Sequence, residues 1–230
     1  MLFGLFPDWA GPVFRYVVDT GLPFTLKIAG TSVLGSAIVG VALGVLLTIR
    51  FLPLRALIRL YIEVWRGLPL IVTLFLIVFT VPGLPLHHDF RPWLGAAIGL
   101  TLWGSAQVAE ATRGAIESIP REQHEAAEAL GFGWLGRHAY VVLPQAFRRL
   151  LPPLVSLLVN VIQNTTLAAL VGVTEILFAA KTQVERLAAP PPAGALEQHG
   201  FAIYGAVLVA FFLISFPLTR LAAYLERRLI

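Results

Sequence analysis

Glu125-Ala126-Ala127-Glu128-Ala129-Leu130-Gly131 is a polar, alanine-rich stretch in a chain that otherwise reads as built for lipid. It lies in a polar run from Arg113 to Gln145, with long apolar segments on either side. The run has internal order. Ser118 is placed to cap a short helix with Pro120 in its first turn and Glu122 near the positive end of its dipole. Ala126, Ala127 and Ala129 leave a face that another surface can approach closely, and Gly131 suits a helix stop. Beyond it, Trp134, Leu135, His138, Val141 and Val142 recur at helical spacing until Leu143-Pro144 ends the run. The pattern predicts two short helices bent at a glycine, a compact plug shaped for a socket.

The rest of the composition sets the class. With 230 residues, 57% hydrophobic and 13% charged, and a mean hydropathy of +0.80, the chain is too apolar for an ordinary soluble domain. Cysteine is absent, which excludes a disulfide framework, a thiol nucleophile and a Cys-based metal site. The net charge of +4 does not point to nucleic acid, because the arginines sit at the ends of apolar runs rather than on one face. Met1 to Pro12 has neither a basic start nor a small-residue cleavage site, so it does not read as a signal peptide.

Apolar runs predict an all-α polytopic membrane protein with about five transmembrane helices. The first runs from Ile28 to Ile49 without a charge, and Gly40 and Gly44 give it the small-xxx-small spacing of close helix contact. The second covers Ile58 to Val81, the third Trp93 to Ala111, the fourth Leu150 to Ile176 and the fifth Phe201 to Leu221. One transmembrane domain over 1–230 is expected, with its core from about residue 21 and its polar loop at about 113–149. Twelve of the 17 Lys and Arg residues fall on the side that carries Glu125; Arg15, Lys27, Arg91, Lys181 and Arg186 fall on the other. The positive-inside rule then puts the N-terminus outside, the C-terminus inside and the Glu125 loop in the cytoplasm.

Several polar groups interrupt the spans, and each has a structural as well as a functional reading. Glu63 and Arg66 share a helical face with Arg59 and either anchor the span's end or take part in gating or assembly. Asn160, Gln163 and Asn164 share a face of the fourth span, with Thr165 and Thr166 following. They serve interhelical hydrogen bonds or line a path for a polar solute. Gln107 lies deeper than the Glu110–Arg113 pair and is a candidate for the same path. His87-His88-Asp89 makes a poor chelate, and no metal site is expected.

From Glu125 the residues read Glu-Ala-Ala, three residues, Gly131, nine residues, Val141, one residue, Leu143-Pro144. This resembles the EAA loop of type I ABC importer permeases, and only Val141, in place of Ile, departs from it. Glu63-Val64-Trp65-Arg66-Gly67-Leu68-Pro69-Leu70 resembles the E-x-x-R-G-T-P-L signature of the polar amino-acid branch, with Leu68 for Thr. Ile119-Pro120-Arg121-Glu122-Gln123, Leu143-Pro144-Gln145-Ala146 and Gln163-Asn164-Thr165-Thr166-Leu167 are similar to further runs of that branch, with Glu122 and Gln163 as departures. The likeness covers about Gly21 to the C-terminus.

The resemblance implies a multi-pass permease of the bacterial cytoplasmic (inner) membrane that moves polar amino acids by alternating access. Glu125, Ala126, Ala127, Gly131, Leu143 and Pro144 would form its cytoplasmic coupling helix against separate ABC ATPase subunits. Asn160, Gln163, Asn164, Thr165 and Gln107 would border the substrate path, and Glu63, Arg66, Gly67 and Pro69 would support gating. The implied partners are the ATPases, an extracytoplasmic amino-acid-binding protein, a second permease subunit and the bilayer. ATP and Mg2+ would belong to the ATPase, since no G-x-x-x-x-G-K-[ST] loop occurs in this chain and no cofactor of its own is expected. A membrane-embedded enzyme, a stand-alone channel, or an importer of another small polar solute are the alternatives. The enzyme lacks support in the residues, because Thr165-Thr166 has no histidine in its own span.

Overall fold

A computed structural model describes residues 7–49, 51–83, 90–187 and 195–229. In chain order its helices are α1 (Ala10–Tyr16), α2 (Leu22–Leu46), α3 (Leu52–Gly67), α4 (Leu70–Thr80), α5 (Pro92–Glu117), α6 (Arg121–Ala129), α7 (Trp134–Arg137), α8 (Leu143–Asn164), α9 (Ile176–Leu187) and α10 (Ala195–Leu229). No strand occurs among the described residues. His87-His88-Asp89 and the loop from Ala188 to Gly194 lie outside them.

Two π turns join what sequence spacing separates. Val17–Gly21 links α1 to α2, and His138–Val142 links α7 to α8. Each ends two residues before a proline, Pro23 or Pro144, and each is closed by a five-residue bond: Leu22 N–H to Val17 O, and Leu143 N–H to His138 O. A proline has no N–H to give and its ring crowds the carbonyl four residues back, so a widened turn lets the helix continue. Leu143-Pro144 therefore does not end the second helix of the plug, as the pattern predicted. That helix runs unbroken from Trp134 to Val171.

Three helices among the described residues are long and apolar enough to cross a membrane: Ala10–Leu46, Trp134–Val171 and His199–Leu229. The expected second span is broken. Leu68 is extended (φ −81°, ψ 139°) ahead of Pro69, so α3 stops at Gly67 and α4 starts afresh at Leu70. Counted together, that bent pair makes a fourth candidate. At 26 residues, α5 is long enough as well, but Gln107, Glu110 and Arg113 within it lower its apolarity.

The chain forms two compact units. The first comprises Met1–Ser32, Leu70–Leu100 and Ile162–Ser215; the second comprises Val33–Pro69, Thr101–Val161 and Phe216–Ile230. In the first, Ile28, Leu74, Val78, Ala97, Leu100 and Val171 form one core, and Val13, Ile176, Ala180, Val184, Ile203 and Val207 form another. Here α9 was not foreseen: it starts where the Ile176 amide donates to Thr25 Oγ1 (3.0 Å) and the fully buried Glu175 accepts the Phe178 amide (2.8 Å) as an N-cap.

In the second unit, Leu47, Ile58, Ile62 and Ala109 form one core, and Ile116, Ile119, Val142 and Ala146 form a second beneath α6. The expected close contact at Gly40 and Gly44 is present. A Cβ at Gly40 would lie 2.7 Å from the Ser105 carbonyl oxygen, and one at Gly44 2.6 Å from that of Ala109. Only hydrogen at these positions lets α2 and α5 meet backbone to side.

Candidate functional site

The Glu125 stretch forms α6, and its ends are built differently from expectation. Pro120 (φ −56°, ψ 145°) is the N-cap rather than a first-turn residue, and no side chain caps the helix. Ser118 instead donates to Ala115 O (2.7 Å) and accepts from Arg149 Nη1 (3.1 Å), which also reaches Ser118 O (2.5 Å). That competing partner is 31 residues away, and it draws the hydroxyl from the cap. Glu122 does occupy the first turn, where the helix dipole favours a carboxylate.

At the other end Gly131 adopts φ +83°, a left-handed conformation that glycine reaches without a Cβ clash. The Gly131 amide then bonds to Glu128 O (2.9 Å) and the Phe132 amide to Ala127 O (3.0 Å), the paired bonds of a Schellman stop. Three further links fix the hairpin that results. Arg137, whose side chain is 11% exposed, pairs with Glu128. Gln145 Nε2 donates to Gln123 Oε1 (3.2 Å) and Val141 O (2.9 Å). His138 Nδ1 lies 2.8 Å from Trp134 O, its ring 4.2 Å from the Trp134 ring and 6.3 Å from that of His124. Burial first, then Arg137 and His138, holds the His124 imidazole below its ordinary pKa.

This construction sorts the coupling candidates. Ala127 is buried, while Glu125, Ala126, Gly131 and Pro144 are exposed and Leu143 is half-buried. Glu125 pairs with Arg121 at 2.8 Å. Large apolar groups to which sequence reading assigned no docking role crowd the tip: Leu130, Leu135 and Tyr140 are 78%, 74% and 74% exposed. Their residue types were legible, but their outward direction follows from the left-handed turn at Gly131.

The other candidates divide between the units. In the second, Arg66 Nε donates to Gln107 Oε1 (3.2 Å), joining α3 to α5, so Gln107 serves the Arg66 cluster. Arg113 bridges Glu110 (2.5 and 3.1 Å) and Glu117. Glu63 is exposed on α3, Gly67 and Pro69 mark the break, and Asn160 is exposed on α8. In the first unit, Gln163 and Thr166 line an open groove of about 510 Å³ with Leu177, Tyr204, Phe211 and Ser215. Tyr204 and Ser215 were missed, being single polar residues in an apolar run. Asn164 is half-buried, and Thr165 is fully buried with its hydroxyl on Ile162 O (2.7 Å). Among the described residues no cluster of His, Cys, Asp or Glu is arranged to hold a metal.

Residues 25–230 match the family model described as "Binding-protein-dependent transport system inner membrane component". Among curated relatives, the chain is 31% identical over 213 residues to the inner membrane amino-acid ABC transporter permease protein YhdY of Escherichia coli K12. That match covers 90% of this chain and about half of the relative, 55%. It is 34% identical over 168 residues to the probable amino-acid ABC transporter permease protein YckA of Bacillus subtilis, covering 73% of each. Its fold is shared with a crystal structure of an amino acid ABC transporter with histidines (TM-score 0.81, 24% identity, 97% of this chain and 99% of that one). An all-helical chain with apolar spans, an EAA-type hairpin and matches of this extent belongs to the family of inner membrane components of binding-protein-dependent transport systems.

Proposed function

We propose that the chain is the permease subunit of an ATP-driven importer that carries polar amino acids into the cell by alternating access. The observation that carries this reading is the hairpin at Gly131. An ordered polar turn with Leu130, Leu135 and Tyr140 bared on its tip is shaped to be covered by another protein. That partner is a separate ATPase subunit binding ATP with Mg2+. Closure of the ATPase pair pulls on α6, with Glu125 as an anchoring carboxylate and Ala126 and Gly131 giving close approach. Leu143 and Pro144 lie just past the π turn, where the hairpin passes its motion into α8.

On this reading residues 1–230 act as one permease domain, with α5 as the remaining crossing, the N-terminus outside and the C-terminus inside. A second permease subunit, another copy or a sister chain, completes the path, and an extracytoplasmic binding protein delivers the amino acid. Asn160, Gln163 and Asn164 border the path, and Thr166 and Tyr204 add hydroxyls in the groove that Gln163 lines. The relatives' names support the amino-acid cargo. The test is reconstitution in vesicles with the ATPase and binding protein, measuring uptake of a panel of labelled amino acids. Uptake that requires ATP and all partners is expected. Uptake without the ATPase, or ATP-dependent uptake of sugars but no amino acid, contradicts the proposal.

A further inference from the structure

Within the second unit, the C-terminal part of α5, the start of α8 and the last turn of α10 enclose an open groove of about 630 Å³. One wall is hollowed by small side chains at helical spacing, Ala111, Ala115 and Ser118 on α5. The other walls are Arg149 and Pro153 on α8 and Leu229 on α10. Arg149 is the one charged group in this lining. Its Nη1 is spent on Ser118, while its Nε and Nη2 make no hydrogen bond among the described residues. Three more exposed arginines adjoin the lining in sequence: Arg148 before Arg149, and Arg227 and Arg228 before Leu229. The exposed Glu226 precedes Arg227, and Glu110 and Glu117, which adjoin Ala111 and Ser118, are both paired with Arg113.

We infer that this groove is a binding site for an anionic phospholipid, its phosphate on the Arg149 guanidinium and an acyl chain along Ala111, Ala115 and Pro153. The inference rests on the chain's place in the membrane. A guanidinium with two free edges suits a phosphate, which it can hold by paired hydrogen bonds. Basic pockets between membrane helices take anionic headgroups in this manner. The apolar wall sets the source of the phosphate. A soluble anion would leave Ala111, Pro153 and Leu229 facing water, whereas an acyl chain covers them at no polar cost. The arginine excess around the groove selects a net-negative headgroup over a zwitterionic one.

The test uses the full chain purified in detergent, supplied with phosphatidylglycerol or with phosphatidylcholine of the same acyl chains. Retained lipid is counted by native mass spectrometry, and the thermal unfolding midpoint is measured in parallel. The expected result is at least about tenfold preferential retention of phosphatidylglycerol and a midpoint about 3 °C above that in phosphatidylcholine. Arg149→Gln removes the preference. Because Arg149 also ties α8 to Ser118, that variant lowers the midpoint in both lipids, so the difference between lipids is the readout. Ala111→Leu, which fills the groove and leaves every charge, weakens retention of the lipid. Arg149→Lys retains part of the preference. Equal retention of the two lipids, a preference unchanged in both Arg149→Gln and Ala111→Leu, or full replacement of the lipid effect by soluble glycerol phosphate overturns the inference.

Discussion

The Phe132 amide donates to the Ala127 carbonyl oxygen at 3.0 Å, across a glycine at φ +83°. That bond closes α6 and turns the chain back, placing Leu130 and Leu135 on the outside of the hairpin while Ala127 stays buried. Backbone bonds therefore hold the tip in one conformation, as the proposed coupling to an ATPase would require.

Gly131→Val tests that relationship. A side chain in the left-handed region costs about 1–2 kcal/mol, and more for a β-branched one. Open space surrounds Gly131, so the damage comes from backbone strain rather than from a clash. The variant inserts and folds, and its complex either fails to assemble or hydrolyses ATP without uptake. Gly131→Asn, which tolerates the conformation better, retains partial uptake. Parallel assays of hydrolysis and transport in vesicles read both effects.

Gly44→Val drives two methyl groups into a contact where even a Cβ would lie 2.6 Å from the Ala109 carbonyl oxygen. A loss of roughly 2 kcal/mol is expected from overpacking, read as a lower unfolding midpoint in detergent. Gly30→Val, on the same helix with nothing within 4 Å of its Cβ position, serves as the control and keeps the wild-type midpoint.

The hairpin should weaken on acidification. Its environment lowers the His124 pKa, so the folded state favours neutral imidazole and the unfolded chain binds the proton more readily. The contribution is present above the ordinary imidazole value of roughly 6.5 and is lost as pH falls through the lower folded value. Hydrogen exchange at the Phe132 amide, compared between about pH 7.5 and pH 5.5 after correction for intrinsic rates, should show reduced protection at the acid end. His124→Gln removes much of that pH dependence.

Alanine at Asn160, Gln163 and Asn164 together should change the amino-acid preference or raise the half-saturating concentration of uptake, with ATP hydrolysis retained. Thr165→Ser serves as the contrast. Its hydroxyl can still reach Ile162 O, so uptake stays near wild type. Unchanged kinetics in the triple variant remove these residues from the path.

Much of the fold was legible, for physical reasons that particular residues display. The apolar runs that begin at Ile28 and Phe201 fall in helices long enough to cross a membrane, and Gly40 and Gly44 announced a contact that is present. Gly131 announced a stop that is present. What stayed hidden depends on partners distant in sequence or on backbone that absorbs a local signal. The hydroxyl of Ser118 is held by Arg149. Pro144 reads as a stop, yet the π turn before it carries the helix through. Gly67 and Pro69 carried the signal for a break, but a run long enough to read as one span, Ile58 to Val81, passed over it. Tyr204 and Ser215 join Gln163 and Thr166 only through the fold of the first unit.

The proposed function requires a separate ATPase to grip the tip of this hairpin, and the absence of cysteine makes a clean test available. Leu130→Cys places the chain's only thiol on that tip. A thiol-reactive photo-crosslinker on Cys at position 130, activated in membranes holding the whole transporter, should join the permease to the ATPase subunit, with the yield changing when ATP is added. No crosslink from this position, in complexes that still take up amino acid, would rule out that grip.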